Sequence, residues 1–237
     1  MGLIKSERSI IPACDVNIDL YETIIKYTSD IPEVSAYKIG FELALVHGLP
    51  KIINLTRRYT DKLIIYDHQK GCTDTPYKGE KFVKTLVEAG IDAAIFFPLT
   101  GPETELAWIK AAFKFNLPII IGGDMSHYKY RKSEGGYIDD MSVAEIYSIA
   151  AKMGITDFVV PGNKPDRIKE IKNIIESNGI KPNFYAPGFG GKQGGSILNA
   201  LKSTDNKLHA IIGEEIYTAK SIRAKVLDLV NQLNILK

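Results

Sequence analysis

The feature that most constrains this sequence is a regular alternation of short apolar runs and amphipathic stretches. Eight runs rich in branched apolar residues predict β-strands, at residues 9–14, 36–39, 63–67, 93–97, 118–122, 158–160, 183–186 and 210–213. Most of these runs are continuously apolar, which is typical of strands covered on both faces in a parallel sheet. The stretches between them have the periodicity of helices.

Two of these helical patterns are well defined. Residues 80–89 end at Gly90, a residue that favours helix C-termini, and residues 168–175 repeat the pattern as far as Asn178. The apolar stripe of the first consists of Phe82, Val83, Leu86 and Val87. Residues 219–236 predict a final helix.

Eight strand–helix units in 237 residues predict a (β/α)8 barrel, a fold of about 250 residues, as a single domain over residues 1–237. An open doubly wound sheet is the alternative. That fold would need a glycine-rich dinucleotide turn after the first strand, where Asp15-Val16-Asn17 has no glycine.

Composition excludes several functional classes. The 30 Lys and Arg residues nearly balance the 28 Asp and Glu residues, which argues against a dedicated nucleic-acid binder but allows a small basic pocket for a phosphorylated metabolite. Cys14 and Cys72 are too few for a disulfide framework or a four-cysteine zinc site, so we expect buried thiols. No run is long enough to span a membrane, and no secretory stretch precedes the first strand, so we expect a cytoplasmic protein.

Charged residues follow the predicted strands, where barrels keep their active sites. The first three strands place Asp15, Lys38, Asp67 and Lys70 at one end, with Asp74 further along. Such a cluster is costly unless its charges are paired, so it indicates either a catalytic network or a structural ion-pair network.

Two loops at the same end of the barrel are also candidate parts of the site. The stretch that follows the seventh strand contains Pro187, Gly188, Gly190, Gly191, Lys192 and Gln193, and its glycines would let backbone N–H groups approach a phosphate. A flexible loop is the plainer interpretation. Residues 126–140, after the fifth strand, predict either a mobile lid or a solvated loop.

Several motifs in order along the chain resemble orotidine 5′-monophosphate decarboxylases of the short archaeal type. The matching segments are Ala13-Cys14-Asp15, Tyr37-Lys38-Ile39-Gly40, Asp124-Met125-Ser126-His127, residues 160–168, Ala186-Pro187-Gly188-Phe189-Gly190 continued by Gln193-Gly194-Gly195, and Ile211-Ile212-Gly213 with Ile216-Tyr217. The resemblance covers essentially the whole chain.

Two departures from the family pattern stand out. The family has Asp-x-Lys-x-x-Asp after the third strand, whereas here Lys70 follows Asp67 by three residues and Asp74 follows Lys70 by four. Residues three apart on a strand face opposite sides, so Lys70 reaches the pocket only if the chain bulges or leaves the strand by Gln69. We expect His68 to face outward. A role for His68 as an alternative proton donor is the less favoured interpretation.

The second departure concerns the phosphate. The family usually has Gly-Arg after the eighth strand, whereas here Glu214 follows Gly213. A carboxylate repels a phosphate dianion, so another cation is needed. Lys192 is our first candidate, with Lys164 and Arg131 as further candidates.

The resemblance implies decarboxylation of orotidine 5′-monophosphate to uridine 5′-monophosphate, without metal or organic cofactor, in a homodimer. It assigns catalysis to Lys38, Asp67, Lys70 and Asp74, with Asp74 reaching into the neighbouring subunit's site. It assigns binding of the ribose to Asp15, binding of the pyrimidine to Ser126 and binding of the phosphate to the glycine-rich loop together with Gly213.

Two alternatives belong to other classes. One is a Mg²⁺-dependent sugar-phosphate aldolase that resembles 3-hexulose-6-phosphate synthase, against which the Met125-Ser126-His127 turn argues. The other is a non-catalytic barrel that binds a phosphorylated ligand and has lost its activity.

Overall fold

Eight parallel strands form a closed barrel in the computed structural model, which describes residues 2–68, 71–190 and 194–235. The strands are β1 (Arg8–Cys14), β2 (Ala36–Ile39), β3 (Leu63–Asp67), β4 (Ala93–Phe96), β5 (Ile119–Gly122), β6 (Asp157–Val159), β7 (Asn183–Ala186) and β8 (Leu208–Ile212). Each pairs with the next in the chain, and β8 pairs with β1. The predicted barrel is confirmed, with strand bounds displaced by up to two residues.

Helices cover the outside of the barrel. They are α1 (Ile18–Thr28), α2 (Phe41–His47), α3 (Leu49–Arg57), α4 (Gly79–Ala89), α5 (Pro102–Lys114), α6 (Asp140–Lys152), α7 (Pro165–Ser177), α8 (Ile197–Ser203), α9 (Glu214–Tyr217) and α10 (Ile222–Asn234). Two short 3₁₀ helices, Pro76–Lys78 and Lys132–Glu134, lie in the loops after β3 and β5.

Two details of the predicted helices are wrong. Val87 is 39% exposed, so α4 buries a narrower stripe around Val83 and Leu86. The final helix begins at Ile222 rather than at 219, because the Ser221 side chain accepts the Ala224 N–H and caps the helix there. The end of α4 at Gly90, which adopts a left-handed φ of 87°, is confirmed.

Side-chain alternation along the strands creates two apolar layers. Ile11, Ile65, Ile95 and Ile211 point into the barrel, while their neighbours pack between the sheet and the helices. This explains the continuous apolar runs, since both faces of each strand are covered. The same alternation directs Lys38 and Asp67, which lie two residues beyond Ala36 and Ile65, into the barrel.

Two expectations from the sequence concern the cysteines and the length of the helices. Cys14 and Cys72 are buried free thiols, as expected. Within the described ranges, every helix is too short or too polar to cross a membrane.

Candidate active site

A buried lysine between two carboxylates forms the centre of the site. The Lys38 ammonium lies 3.2 Å from Asp67 Oδ2 and 3.4 Å from Asp15 Oδ2. These residues come from β2, the end of β3 and the position after β1, whose register pairs Ala13 with Lys38. Parallel strands therefore bring the three charges together at one end of the barrel.

Lys38 keeps its charge in this position. Burial lowers the pKa of the ammonium, but the negative charges of Asp67 and Asp15 outweigh that effect, and the net pKa is raised. The lysine side chain is only 8% exposed, compared with 14% for Asp67 and 34% for Asp15. The site thus holds a fixed positive charge between two negative ones.

A turn after β5 forms the opposite wall. Asp124 is buried, and its Oδ1 accepts the Met125 N–H at 2.8 Å. Ser126 and His127 follow and line the same cavity as Lys38. The His127 ring packs edge-on against Tyr130.

The loops after β7 and β8 close the remaining side. Pro187, Gly188 and Gly190 line the cavity, and Gly188 has a φ of 114° that glycine tolerates without strain. A side chain at position 190 would overlap the Glu215 carboxylate, which lies 2.3 Å from the position that a β-carbon would occupy there. These glycines keep backbone N–H groups accessible to an anion.

The cavity has a volume of about 370 Å³ and an apolar floor. Its floor consists of Ala13, Ile95, Phe97, Val159 and Ile211. Among the residues that the structure describes, Lys38 is the one lysine or arginine in the lining. A cavity of this size with an apolar floor can hold a nucleotide-sized ligand with a planar base.

Arg131 and Lys164 do not line the cavity, so the structure does not support them as phosphate cations. Arg131 contacts Asp140 at 2.5 Å and Glu134 at 2.8 Å. Lys164 contacts the same Glu134 at 2.8 Å. Both charges are therefore already paired with carboxylates.

Most of the predicted site residues come together. Asp15, Lys38, Asp67, Ser126, Pro187, Gly188, Gly190 and Gly213 all line one cavity. Lys70, Gly191, Lys192 and Gln193 lie outside the described residues. Asp74 is exposed and lies outside this cavity, with its Oδ1 accepting the Thr75 N–H at 2.6 Å.

His68 faces away from the cavity, as expected. Its Nδ1 hydrogen-bonds with the Tyr66 hydroxyl, and its ring packs edge-on against Phe82 of α4. Because β3 ends at Asp67, the chain leaves the strand before Gln69. That is one of the two conditions under which Lys70 reaches the pocket.

Sequence reasoning missed two aromatic residues of the lining. Phe189 lies within the glycine-rich loop, and Tyr217 lies at the end of α9. Burial and the charges of Glu214 and Asp15 raise the pKa of Tyr217, so its hydroxyl stays protonated and can donate a hydrogen bond. Both belong to segments that matched the family. Their position after a strand was the sequence signal that could have identified them as lining residues.

No group of three or more His, Cys, Asp or Glu side chains is arranged to hold a metal ion in the part of the chain that the structure describes. The Asp15–Lys38–Asp67 group can instead place a positive charge beside a bound ligand. A buried ammonium between carboxylates stabilises negative charge that develops beside it, because a low-dielectric site strengthens electrostatic interactions.

Comparison with known proteins gives a consistent result. A family model described as "Orotidine 5'-phosphate decarboxylase / HUMPS family" matches residues 10–229. The orotidine 5'-phosphate decarboxylase of Methanosarcina mazei is 28% identical over 96% of both chains, and that of Methanosarcina barkeri is 31% identical over 85% of both. The crystal structure of orotidine 5'-monophosphate decarboxylase from Methanocaldococcus jannaschii, complexed with the inhibitor BMP, is similar with a TM-score of 0.81. That structure is 27% identical and covers 96% of this chain and 99% of its own.

Proposed function

This chain belongs to the orotidine 5′-phosphate decarboxylase / HUMPS family, and from that premise we propose that it converts orotidine 5′-monophosphate to uridine 5′-monophosphate and carbon dioxide. The observation that carries the proposal is the Asp15–Lys38–Asp67 triad at the carboxyl end of the barrel. The similar curated proteins are decarboxylases, so the sugar-phosphate aldolase is not favoured.

The chemistry explains why such a triad is needed. Loss of carbon dioxide leaves a carbanion on the pyrimidine ring with no electron sink beside it, so the protein must stabilise the charge electrostatically. Asp67 faces the cavity, where its carboxylate would crowd the leaving carboxylate of the substrate. Lys38 holds Asp67 in place at 3.2 Å and keeps a positive charge within the site.

Proton delivery to the carbanion is the remaining step. We assign it to Lys70, which lies outside the described residues and follows the end of β3 closely. His68 is a poor donor for this purpose because its ring packs against Phe82 outside the barrel. Asp15 would accept hydrogen bonds from the ribose, and Ser126 would bind the pyrimidine.

The phosphate would lie at the loops after β7 and β8. Gly188, Gly190 and Gly213 line that end of the cavity, and their backbone N–H groups would donate to the phosphate. Lys192 is the proposed cation, since Arg131 and Lys164 contact Glu134 instead. Binding energy from the phosphate would then help to hold the pyrimidine at the reacting centre.

Asp74 would complete the site of a second copy. Its backbone carbonyl accepts the Thr100 and Thr104 hydroxyls at 3.1 and 2.9 Å, which fixes this position outside its own cavity. Tyr77, three residues later, is 77% exposed. Both features support a homodimer of two single-domain barrels, and the cytoplasmic location stays an expectation from the sequence.

Subunit mixing tests the dimer. Light scattering should give about twice the 26.3 kDa chain mass. Mixing inactive Lys70→Ala with inactive Asp74→Asn subunits should restore about a quarter of the activity, because half of the dimers would carry one intact site. A fully active monomer, or mixed subunits with no activity, would contradict the exchange.

A spectrophotometric assay of orotidine 5′-monophosphate loss, with and without EDTA, tests the reaction. We expect turnover that survives chelation and that Asp67→Asn abolishes, whereas Asp61→Asn, an exposed change before the same strand, leaves it intact. Turnover of sugar phosphates alone, abolished by EDTA, would instead support the aldolase.

A further inference from the structure

The segment after β6, residues 160–167, matched the family but has no part in the reaction described above. It lies directly beside the turn that carries Ser126. Three of its side chains reach that turn, at positions 124, 126 and 127. The contacts are Arg167 to Asp124, Asn163 to the Ser126 carbonyl, and Lys164 to the His127 carbonyl.

Arg167 makes the most buried of these contacts. Its Nε donates to Asp124 Oδ2 at 2.9 Å, and the Asp124 side chain is fully buried. The Arg131 Nε lies further from the same oxygen, at 3.5 Å. The other oxygen of Asp124 accepts the Met125 N–H at 2.8 Å. Asp124 therefore connects the Arg167 guanidinium to the peptide group between Asp124 and Met125, directly before Ser126 in the chain.

The other two contacts fix the backbone after Asp124. Asn163 Nδ2 donates to the Ser126 carbonyl at 2.9 Å, and Lys164 Nζ donates to the His127 carbonyl at 3.2 Å. Together with the Asp124 contact, they hold the Ser126 carbonyl and the peptide group between Asp124 and Met125, which restricts the backbone that carries the Ser126 hydroxyl. A loop residue without such contacts would have to be ordered when the ligand binds, at a cost in entropy.

A second ion-pair group holds the rest of the loop. Glu134 lies between Arg131 and Lys164, at 2.8 Å from each. Burial raises the pKa of Glu134, but the hydrogen bonds from Lys164 and Arg131 outweigh it, and the net pKa is lowered. Glu134 is thus ionised at neutral pH and ties the loop after β5 to the segment after β6.

We propose that Arg167 is a positioning residue that acts through Asp124 to hold Ser126 against the pyrimidine ring of the bound nucleotide. Arg167 does not line the cavity and acts only through that carboxylate. This inference rests on the proposed function, because it takes Ser126 as the residue that binds the base. It gives residues 160–167 a role in recognising the base rather than the phosphate.

Replacing Arg167 with Met tests the proposal, since it removes the guanidinium and keeps most of the side-chain volume. The probes are uridine 5′-monophosphate, which has the base, and ribose 5-phosphate, which lacks it. Hydrogen bonds to charged groups of this kind correspond to a loss of roughly tenfold to a hundredfold in affinity. We expect that loss for uridine 5′-monophosphate and an unchanged affinity for ribose 5-phosphate.

Three further variants complete the experiment. Arg167→Lys should recover part of the affinity, because an ammonium can still pair with Asp124. Lys169→Met is the matched control, since Lys169 lies on the same helix and pairs only with the exposed Asp166 at 3.2 Å among the described side chains. Asp124→Asn should reproduce the Arg167→Met pattern if the pair acts as one unit.

Equal loss of both ligands in Arg167→Met would overturn the proposal, because it would indicate a general structural role. Unchanged affinity for both would also overturn it. Turnover of orotidine 5′-monophosphate by the unmodified protein is measured separately. A missing turnover defeats the proposed function, whereas the difference between the two probes decides the role of Arg167.

Discussion

Glu105 provides a stability test that does not depend on the catalytic proposal. This residue lies in the first turn of α5 and is 1% exposed, and its Oε1 has no hydrogen-bond partner among the described residues. Burial, and to a lesser extent the charge of Glu145, raise its pKa from a usual value of 4.5 to about 8. The folded protein therefore favours the neutral acid.

The sign of the pH dependence follows from linkage. Between about pH 4.5 and pH 8 the folded state holds a proton on Glu105 that the unfolded state has released. Raising the pH through this window therefore lowers the free energy of unfolding. Each tenfold change in the ionisation constant corresponds to about 1.4 kcal/mol, so the full difference is about 5 kcal/mol.

Glu105→Gln removes this ionisation and keeps a neutral group of the same shape. We expect little effect near pH 4.5 and a stabilisation that grows to about 3–5 kcal/mol at pH 8.5. In a chain of this length, 1 kcal/mol shifts the thermal midpoint by roughly 2–4 °C. Thermal unfolding of both proteins at pH 5, 7 and 8.5 measures the difference directly.

A matched control lies two residues earlier. Glu103 is exposed in the same turn of the same helix, so Glu103→Gln should change the midpoint by the same small amount at every pH. A midpoint difference for Glu105→Gln that does not grow with pH, or that has the opposite sign, would refute the reasoning.

Three shorter predictions concern the site. Lys38→Met should abolish turnover in a kinetic assay. Urea unfolding should show a loss of about 3 kcal/mol in the free energy of unfolding, which is the low end for a broken buried ion pair because Asp15 is 34% exposed. His68→Ala should keep near-normal turnover, since the ring packs outside the barrel; a large loss of kcat would return the proton-donor role to it. Lys192→Ala should weaken uridine 5′-monophosphate binding roughly tenfold to a hundredfold and leave uridine binding unchanged, as titration calorimetry would show.

The barrel and the charged triad could be predicted from sequence because strand geometry is local. Alternation fixes which residues of a strand point inward, and parallel strands place their carboxyl ends at one face. Lys38 and Asp67 lie on strands that follow this rule, and Asp15 follows the end of β1 directly. Their convergence therefore followed from position alone.

Side-chain pairing between loops could not be predicted in the same way. Lys164 and Glu134 are 30 positions apart in the chain, and Lys164 joins the local Arg131–Glu134 pair only after the loops fold. Asp124 and Arg167 are 43 positions apart and meet across two loops. No periodicity in the sequence records such contacts, so Lys164 and Arg131 remained candidates for the phosphate after Lys192.

The charges around the cavity relate the two departures from the family pattern, because each departure concerns a lysine that could bind an anionic group of the substrate. In the described part of the lining, Asp15, Asp67, Asp124 and Glu214 contribute four carboxylates against the single ammonium of Lys38. Arg167 and Arg131 offset Asp124 from outside the lining, which leaves an excess of negative charge at the other three carboxylates. A substrate that carries both a carboxylate and a phosphate would be repelled unless further cations approach it. Lys70 belongs to the segment after β3 where the family spacing is altered, and Lys192 belongs to the segment after β7, the strand next to the one that Glu214 follows. We therefore expect that a nucleotide with a carboxylate and a phosphate binds well only when both lysines are present, which the Lys192→Ala measurement tests for the phosphate.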